Sequence, residues 1–568
     1  MHRPSTSDPS QHTIHSSYIA KLTSHTMDAS TVFVRIYDSL QEIIRSTTAF
    51  DVAKGVAILW ALRISFCMAR RKLKATRLRG PPRTSLIFGL AKDLFHAEDA
   101  GAMYEAWANE YGVAYEVPIM LGGSKIMLCD PRAIAHFYNK ETRTYVHTDF
   151  GLIFTRKNFG MVILCAQGEE HRRQRKSLSP AFSHAAVRQL LPVFYHSAYK
   201  AKAAWESLID ANDGHSTVID VQNWLDSIGL AGFSHDFGSL DGKTNSVADV
   251  FTTFEGSVPN STLLLLATVF PLLTYVPTSR GDLFGDMNRT LADISRKFLE
   301  RSKEEKEAGI VDGKDDKSII GVLLKAKDSG TDVQLSVEEI LAQMKLLIVA
   351  AYETTSVTMT WALLELARNP DIQTKLRAEL LAFGSDPTYD QLTNNLPYLD
   401  AVVHETLRFH PPLDEFVRQA AEDDVIPLSE PVRTRSGRVV NSISVTRGTR
   451  IGISTACINR SLAIWGADAK VFRPERWLEE GNIPKKAQEM QGYRHLLTFI
   501  DGPRTCLGKG FAVAEFKTVM FTLIKNFVLE MRDGPDTKIE MTMGILSRPR
   551  VVGEAGTKVP LRVRRYGS

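Results

Sequence analysis

The chain is poor in cysteine, and the cysteines it has form no pattern. Cys67, Cys129, Cys165, Cys457 and Cys506 are scattered, odd in number and include no C-x-x-C pair. That argues against a disulfide framework, a zinc site and a built-in iron–sulfur module, and it suits a reducing compartment. Charge of one sign is also lacking: a net +4 over 568 residues is too mild for a nucleic-acid partner. No internal repeat is present. A clean membrane-spanning run is missing too. The candidate, 52–69, falls short of the ~20 apolar residues a spanning helix takes, and it carries Arg63 in its middle. An arginine at that depth costs about 2.5–3.5 kcal/mol on insertion scales. The apolar stretch Ser261 to Pro277 is interrupted by Pro271 and Pro277 and is not read as a span.

What is present suits a large globular enzyme. Hydrophobic content of 44% and aromatic content of 9% are ordinary for a packed core, and the length fits one large fold with an appendage. Residues 1–50, rich in Ser, Thr and His, are expected to be poorly ordered, with a loose amphipathic helix between Thr31 and Ile44. The stretch 52–69 either crosses a membrane or lies in its surface. Residues 70–83 hold Arg70, Arg71, Lys72, Lys74, Arg77 and Arg79 before Gly80-Pro81-Pro82. A basic flank there keeps the main body on the cytoplasmic side, and the prolines make a stiff linker. From 84 to 568 helical periodicity dominates, with short strand-like runs: a mainly α fold with small β-sheets.

Within that body the spacing predicts particular elements. Lys125 to Cys129 reads as a strand running into a helix start at Asp130-Pro131. Lys303 to Lys317 reads as an exposed connection. Ser336-x-x-Glu339 is a capping box opening the longest helix, which Pro370 stops. Its middle, Ala350-Ala351-Tyr352-Glu353-Thr354-Thr355, sets small residues beside an acid and two hydroxyls; a threonine hydroxyl there can bond the carbonyl one turn back and loosen the helix. His171 and Arg175 share one helical face. Glu405 and Arg408 are spaced to pair, as many weak pairs are.

One loop organises these features. Phe499-Ile-Asp-Gly502-Pro-Arg504-Thr-Cys506-Leu-Gly508 places a cysteine between glycines, just ahead of an apolar helical run from Phe511 to Phe527. Backbone N–H groups at Leu507, Gly508 and the helix start favour a thiolate, and a thiolate is the proximal ligand with which haem iron cleaves the O–O bond. This loop, with Phe511-Ala512-x-x-Glu515 after it, resembles the haem-binding signature of the cytochrome P450 family. Three more motifs occur in that family's order. The resemblance implies that His171 and Arg175 reach a haem propionate, with His171 standing where a tryptophan is usual. It places Ala350, Glu353 and Thr354 over the distal face, Thr354 holding the bound oxygen and its water and Glu353 helping to deliver protons, with Ala351 where glycine is usual. It makes Glu405, Arg408 and Arg476 a structural lock on the cysteine loop. Arg418 and Arg504 are implied propionate partners, Phe499 and Gly508 further cofactor contacts, and Cys506 the iron ligand.

The resemblance further implies a haem-thiolate monooxygenase with haem b, inserting one atom of O2 into a lipophilic small molecule. Electrons would come from NADPH through a separate membrane-bound reductase, the body lying on the cytoplasmic side of the endoplasmic reticulum membrane. The overall look is similar to fungal members of secondary metabolism, with a terpenoid or polyketide substrate as the expectation. Pocket positions are expected near Phe150–Phe159, in Ser261–Pro277, before Glu353, near Leu413–Val417 and near Ile545, with Asp414 and Glu415 solvent-exposed. Two other readings stay open: a haem-thiolate isomerase, dehydratase or peroxygenase that needs no reductase, and a haem-binding protein without turnover.

Overall fold

The computed structural model describes residues 74–212, 214–229, 261–307, 335–479, 481–543 and 546–567, with isolated positions between 48 and 66. The helix expected at 31–44 and the pocket position Ile545 lie outside the described residues. The chain divides into Met1–Leu73 and Lys74–Ser568. In the first unit Thr48 starts a helix: its hydroxyl accepts from Asp51 N–H (3.3 Å) and its own N–H donates to the Asp51 carboxylate (3.1 Å). That reciprocal exchange satisfies two donors a helix start leaves open. Ile58, Leu59, Leu62 and Phe66, within the 52–69 candidate, are helical and exposed.

The second unit is mostly helical. Four helices make its core: α5 (His184–Asn212), α9 (Val337–Arg368), α11 (Pro397–Phe409) and α13 (Lys509–Asn526), packed against one another. Before them come α1 (Ala100–Tyr111), α2 (Pro131–Asn139), α3 (Asp149–Phe159) and α4 (Gly168–Leu178). Between α5 and α9 lie α6 (Val221–Gly229), α7 (Ser261–Ala267) and α8 (Ser279–Glu307); α10 (Pro370–Phe383) and α12 (Thr455–Arg460) complete the main helices used below. Helix α9 begins on the expected box, Ser336 and Glu339 exchanging side-chain and backbone bonds, and ends at Asn369, with Pro370 the first residue of α10. Among the described residues α9 is the one helix long and apolar enough to cross a membrane, but 72% of its apolar window is buried inside the fold. It is a core helix.

The largest sheet runs β1 (Ala114–Pro118), β2 (Ser124–Leu128), β8 (Arg450–Ser454), β5 (Glu415–Ala420), β3 (Tyr145–Val146); β2 and β8 are parallel and the other pairs antiparallel. Strand β2 leads into α2 as expected. Asp130 caps that helix by accepting from Ala133 N–H (2.9 Å), while its second oxygen accepts from Ser429 N–H (2.8 Å) on β6 (Asp424–Arg433). Strand β6 forms a hairpin with β7 (Val439–Val445). In the C-terminal part, β12 (Pro560–Arg565) lies between β4 (Ser216–Asp220) and β9 (Phe527–Met531), and β10 (Ile539–Met543) pairs with β11 (Ser547–Val551).

Two expectations need correction. The connection read from Lys303 begins as helix, since α8 continues to Glu307; its Glu and Lys residues are good helix formers. Glu415 is not left to solvent. Its carboxylate takes Lys125 Nζ on β2 and accepts from Tyr104 Oη (2.7 Å) on α1. The half-buried sheet supplies a cation, which local sequence could not show. Asp414, by contrast, is exposed.

Candidate active site

Cys506 sits at the mouth of α13, held by its loop. Its N–H donates to Phe499 O (2.8 Å), and Phe499 is buried with its ring edge-on to Tyr493. Gly502 has φ +68°, and a Cβ there would lie 2.5 Å from Tyr138 O, so only glycine fits without displacing α2. Gly502→Ala should therefore cost about 1–3 kcal/mol, visible as a lowered Tm and a lower haem content of purified protein. At Gly508 a Cβ would meet only the Phe182 ring, at 3.8 Å; the protein itself leaves that side open. Arg494, His495 and Ile500, just upstream, also have left-handed backbone, strain of the kind that gathers at functional loops.

Cys506 and the middle of α9 are both left uncovered by the protein. Cys506 is exposed, although the loop around it is packed between α2, α4 and α13. Ala350 is exposed in mid-helix, although Leu346, Ile348, Val349, Tyr352 and Glu353 around it are buried. One turn on, Thr354 Oγ donates to Ala350 O (2.7 Å), the back-bond expected there, which competes with the helix ladder. Burial pushes the Cys506 thiol up, against the Gly508 N–H, Arg175 and Lys509. The Gly508 N–H is among the groups that favour the thiolate, as expected from the loop's backbone donors.

A cluster of cations lies beside the loop. Arg175 on α4 donates to Thr505 O (2.8 Å). Arg504 donates to Leu164 O (3.2 Å) and to Ala166 O, and burial draws its guanidinium down to about 10, still charged at neutral pH. Arg418 on β5 donates to Glu141 Oε1 (2.7 Å), with Arg504 Nε 3.7 Å from the same oxygen. Burial raises the Glu141 carboxyl against both arginines. Arg418 and Arg504 share the Glu141 carboxylate and Arg175 has no carboxylate on it, so among the described residues at least two positive charges are uncompensated. His171 is buried and neutral, its imidazole pushed down to about 4 by burial, then Arg504 and Arg175. Two further residues, which no motif marked, complete the cluster: Glu141, and His147, pushed down to about 2 by burial, Arg418 and Arg504. Glu141 Oε2, His147 Nε2 and Arg504 Nε have no hydrogen-bond partner among the described residues. Only the fold brings them together, since β3 delivers His147 to β5.

The lock on the loop is closed. Glu405 accepts from Arg408 Nη2 (2.7 Å) and Nε (2.9 Å), Arg473 N–H (2.9 Å) and Trp477 Nε1 (2.9 Å), with Arg476 Nε 3.5 Å away. Glu405, Arg408 and Arg476 are all 0% exposed. Arg476 is held in turn by Asp468 (3.0 Å). Thr498, just before the loop, donates to Leu407 O (2.7 Å) and accepts from Asn459 (2.8 Å), so α11 and α12 fix where the cysteine loop starts. Glu353, unlike its neighbour Ala350, is covered by the protein. It is buried, and its Oε1 accepts from Leu546 N–H (3.0 Å) and Arg548 Nε (3.3 Å).

A mainly helical fold with an accessible cysteine beside a cluster of guanidiniums suits a metal-bearing group with anionic edges. The family model described as Cytochrome P450 matches residues 79–552; the chain belongs to the cytochrome P450 family. It is 52% identical to a cytochrome P450 monooxygenase of Ampulloclitocybe clavipes, claP, over 91% of this chain and 98% of that one. A second from that fungus, claW, is 49% identical over 93% and 99%. A more distant one, cytochrome P450 monooxygenase 128 of Postia placenta, is 34% identical over 92% and 99%. Membership carries with it haem bound through a cysteine thiolate, a small-molecule substrate, O2 and a redox partner.

Proposed function

We propose that this P450 monooxygenase inserts one oxygen atom into a lipophilic small molecule in fungal secondary metabolism, taking two electrons from NADPH through a separate reductase. One oxygen atom enters a C–H bond; the other leaves as water with two protons, while NADPH is oxidised. The surplus of at least two positive charges beside Cys506 carries this reading, because the two carboxylates of haem b match it. Cys506 would ligate the iron; Arg175, Arg418 and Arg504 would hold the carboxylates, with His171 a neutral neighbour. Bound haem supplies the oxidising chemistry. The protein's own part is orientation and proton supply. Thr354, its hydroxyl bonded back to Ala350, and Glu353, one residue away, are the proton-handling pair. The Ala351 methyl narrows the groove beside them.

Exposed apolar residues support a membrane-facing side. Leu86 (83% exposed), Ile87 (53%), Leu272 (74%) and Tyr275 (58%) belong to segments on either side of the contact between α7 and Ala91–Phe95. They suit contact with the cytoplasmic face of the endoplasmic reticulum membrane. Helix α4, whose Arg175 touches the cysteine loop, turns Arg172 and Lys176 outward, a basic face for an acidic reductase surface.

The test is NADPH consumption by the haem-loaded protein with a reductase across lipophilic substrates. Product that requires both NADPH and reductase supports the proposal; turnover without either sinks it in favour of an isomerase or peroxygenase. Thr354→Ala is expected to keep NADPH oxidation while product per NADPH falls about tenfold or more, with hydrogen peroxide appearing in its place.

A further inference from the structure

The carboxyl proposed to move protons is itself part of a buried charge cluster. Arg548, on β11 and 0% exposed, points Nε at Glu353 Oε1 (3.3 Å) and Nη1 at Asp226 Oδ2 (2.8 Å) on α6. Asp226 is fixed on its other oxygen by Ser356 Oγ, one turn beyond Glu353 on α9, and by Gln222 Nε2 (2.9 Å); Gln222 also donates to Ser356 Oγ (2.9 Å). Three elements far apart in sequence thus converge on one guanidinium. The charged groups facing Glu353 are Arg548 from the hairpin and Asp226 from α6, with Asp220, ahead of α6, facing Asp226 in turn.

The count of charges is uneven. Among the described residues one guanidinium serves two buried carboxyls, and a second unpaired anion in such a place is costly. Asp226 has the better claim, with three donors on it. Glu353 has the long contact to Arg548 and one backbone N–H, and its Oε2 has no partner among the described residues. We propose that Arg548 is a positioning residue for proton delivery: shared between Asp226 and Glu353, it holds the Glu353 carboxyl in place for the proton that this carboxyl exchanges. Burial raises Glu353 above the usual carboxylate range, Arg548 and the Leu546 N–H oppose the rise, and Asp226 adds to it. Signs follow for substitutions at each partner. Loss of the Arg548 charge removes an opposing influence, so the proton stays on Glu353 to higher pH. Loss of the Asp226 charge removes a raising one, so the proton leaves at lower pH.

This rests on the reading of Glu353 as a proton donor, and one set of haem-loaded proteins tests both. Infrared difference spectra of the resting enzyme, titrated with pH, should show a protonated-carboxyl C=O band that Glu353→Gln removes. Arg548→Met should move its midpoint to higher pH by about a unit or more (a unit being 1.36 kcal/mol), Asp226→Asn should move it lower, and Arg548→Lys should restore most of the Arg548→Met shift. The pH at which product per NADPH changes should follow the band. A structural role alone would lower Tm and haem content in Arg548→Met while leaving the midpoint in place, and that result overturns the inference. So do shifts of equal sign in the Arg548 and Asp226 variants. Should Arg548→Met not load haem, Asp226→Asn and Arg548→Lys decide by the same midpoint. Full product yield in Glu353→Gln would sink the proton-donor reading instead, and the band shifts then judge the Arg548 assignment separately.

Discussion

Cys506→Ala is expected to leave a folded chain with no oxidase turnover and no red-shifted Soret band in the reduced, carbon monoxide-treated protein. The loop keeps its shape without the sulfur, because what closes it is backbone and glycine: Cys506 N–H to Phe499 O, and Gly502 under Tyr138. What is lost is the only ligand in the loop that can push electron density onto iron. Cys506→Ser, which is nearly isosteric, should lose the band as well, since an alkoxide is a harder and poorer donor of that kind. A variant that kept the band and turned substrate over would remove the basis of the whole functional proposal.

Glu405→Gln should have the largest effect on stability. The substitution leaves Arg408, and Arg476 beyond it, charged and fully buried with the shared anion gone. Breaking a buried pair from one side costs about 3–5 kcal/mol, a large share of the ~5–15 kcal/mol a folded protein has. Little haem-loaded protein should be recovered, and thermal unfolding should begin at a clearly lower temperature. Glu530→Gln is the matched control. Its partner Arg564 is 44% exposed and Glu530 45%, and an exposed pair contributes about 0–1 kcal/mol. Equal losses in the two variants would show that the buried cluster is not the lock described here.

The proposed membrane face gives a further contrast with what the sequence showed. Leu272 and Tyr275 lie in the apolar stretch that Pro271 and Pro277 interrupt and that is therefore not read as a span. The structure gives that stretch a short helix and a 3-10 turn, Pro271–Tyr275, and leaves part of its apolar surface uncovered. A run that cannot cross a bilayer can still rest on one.

The cysteine loop stands in a local pattern with few chance matches and named Cys506; the family resemblance it carries, with the order of the other motifs, then named Glu405, Arg408, Arg476 and the arginines at 175, 418 and 504. Spacing also located the capping box at Ser336 and the strand-to-helix step at Asp130, since those depend on neighbours a few residues apart. It could not find His147, Glu141, Asp226 or Arg548. None of these sits in a pattern, and each acquires its environment from a chain segment hundreds of residues away or from a sheet edge. Sequence likewise gave no sign that the Cys506 thiol is pushed up, or that Glu353 leans on the C-terminal hairpin. Local order fixes which groups the chain offers, through backbone geometry and side-chain type. Burial and charge pairing, which set what those groups do, are properties of packing, and they exist only once distant segments have met.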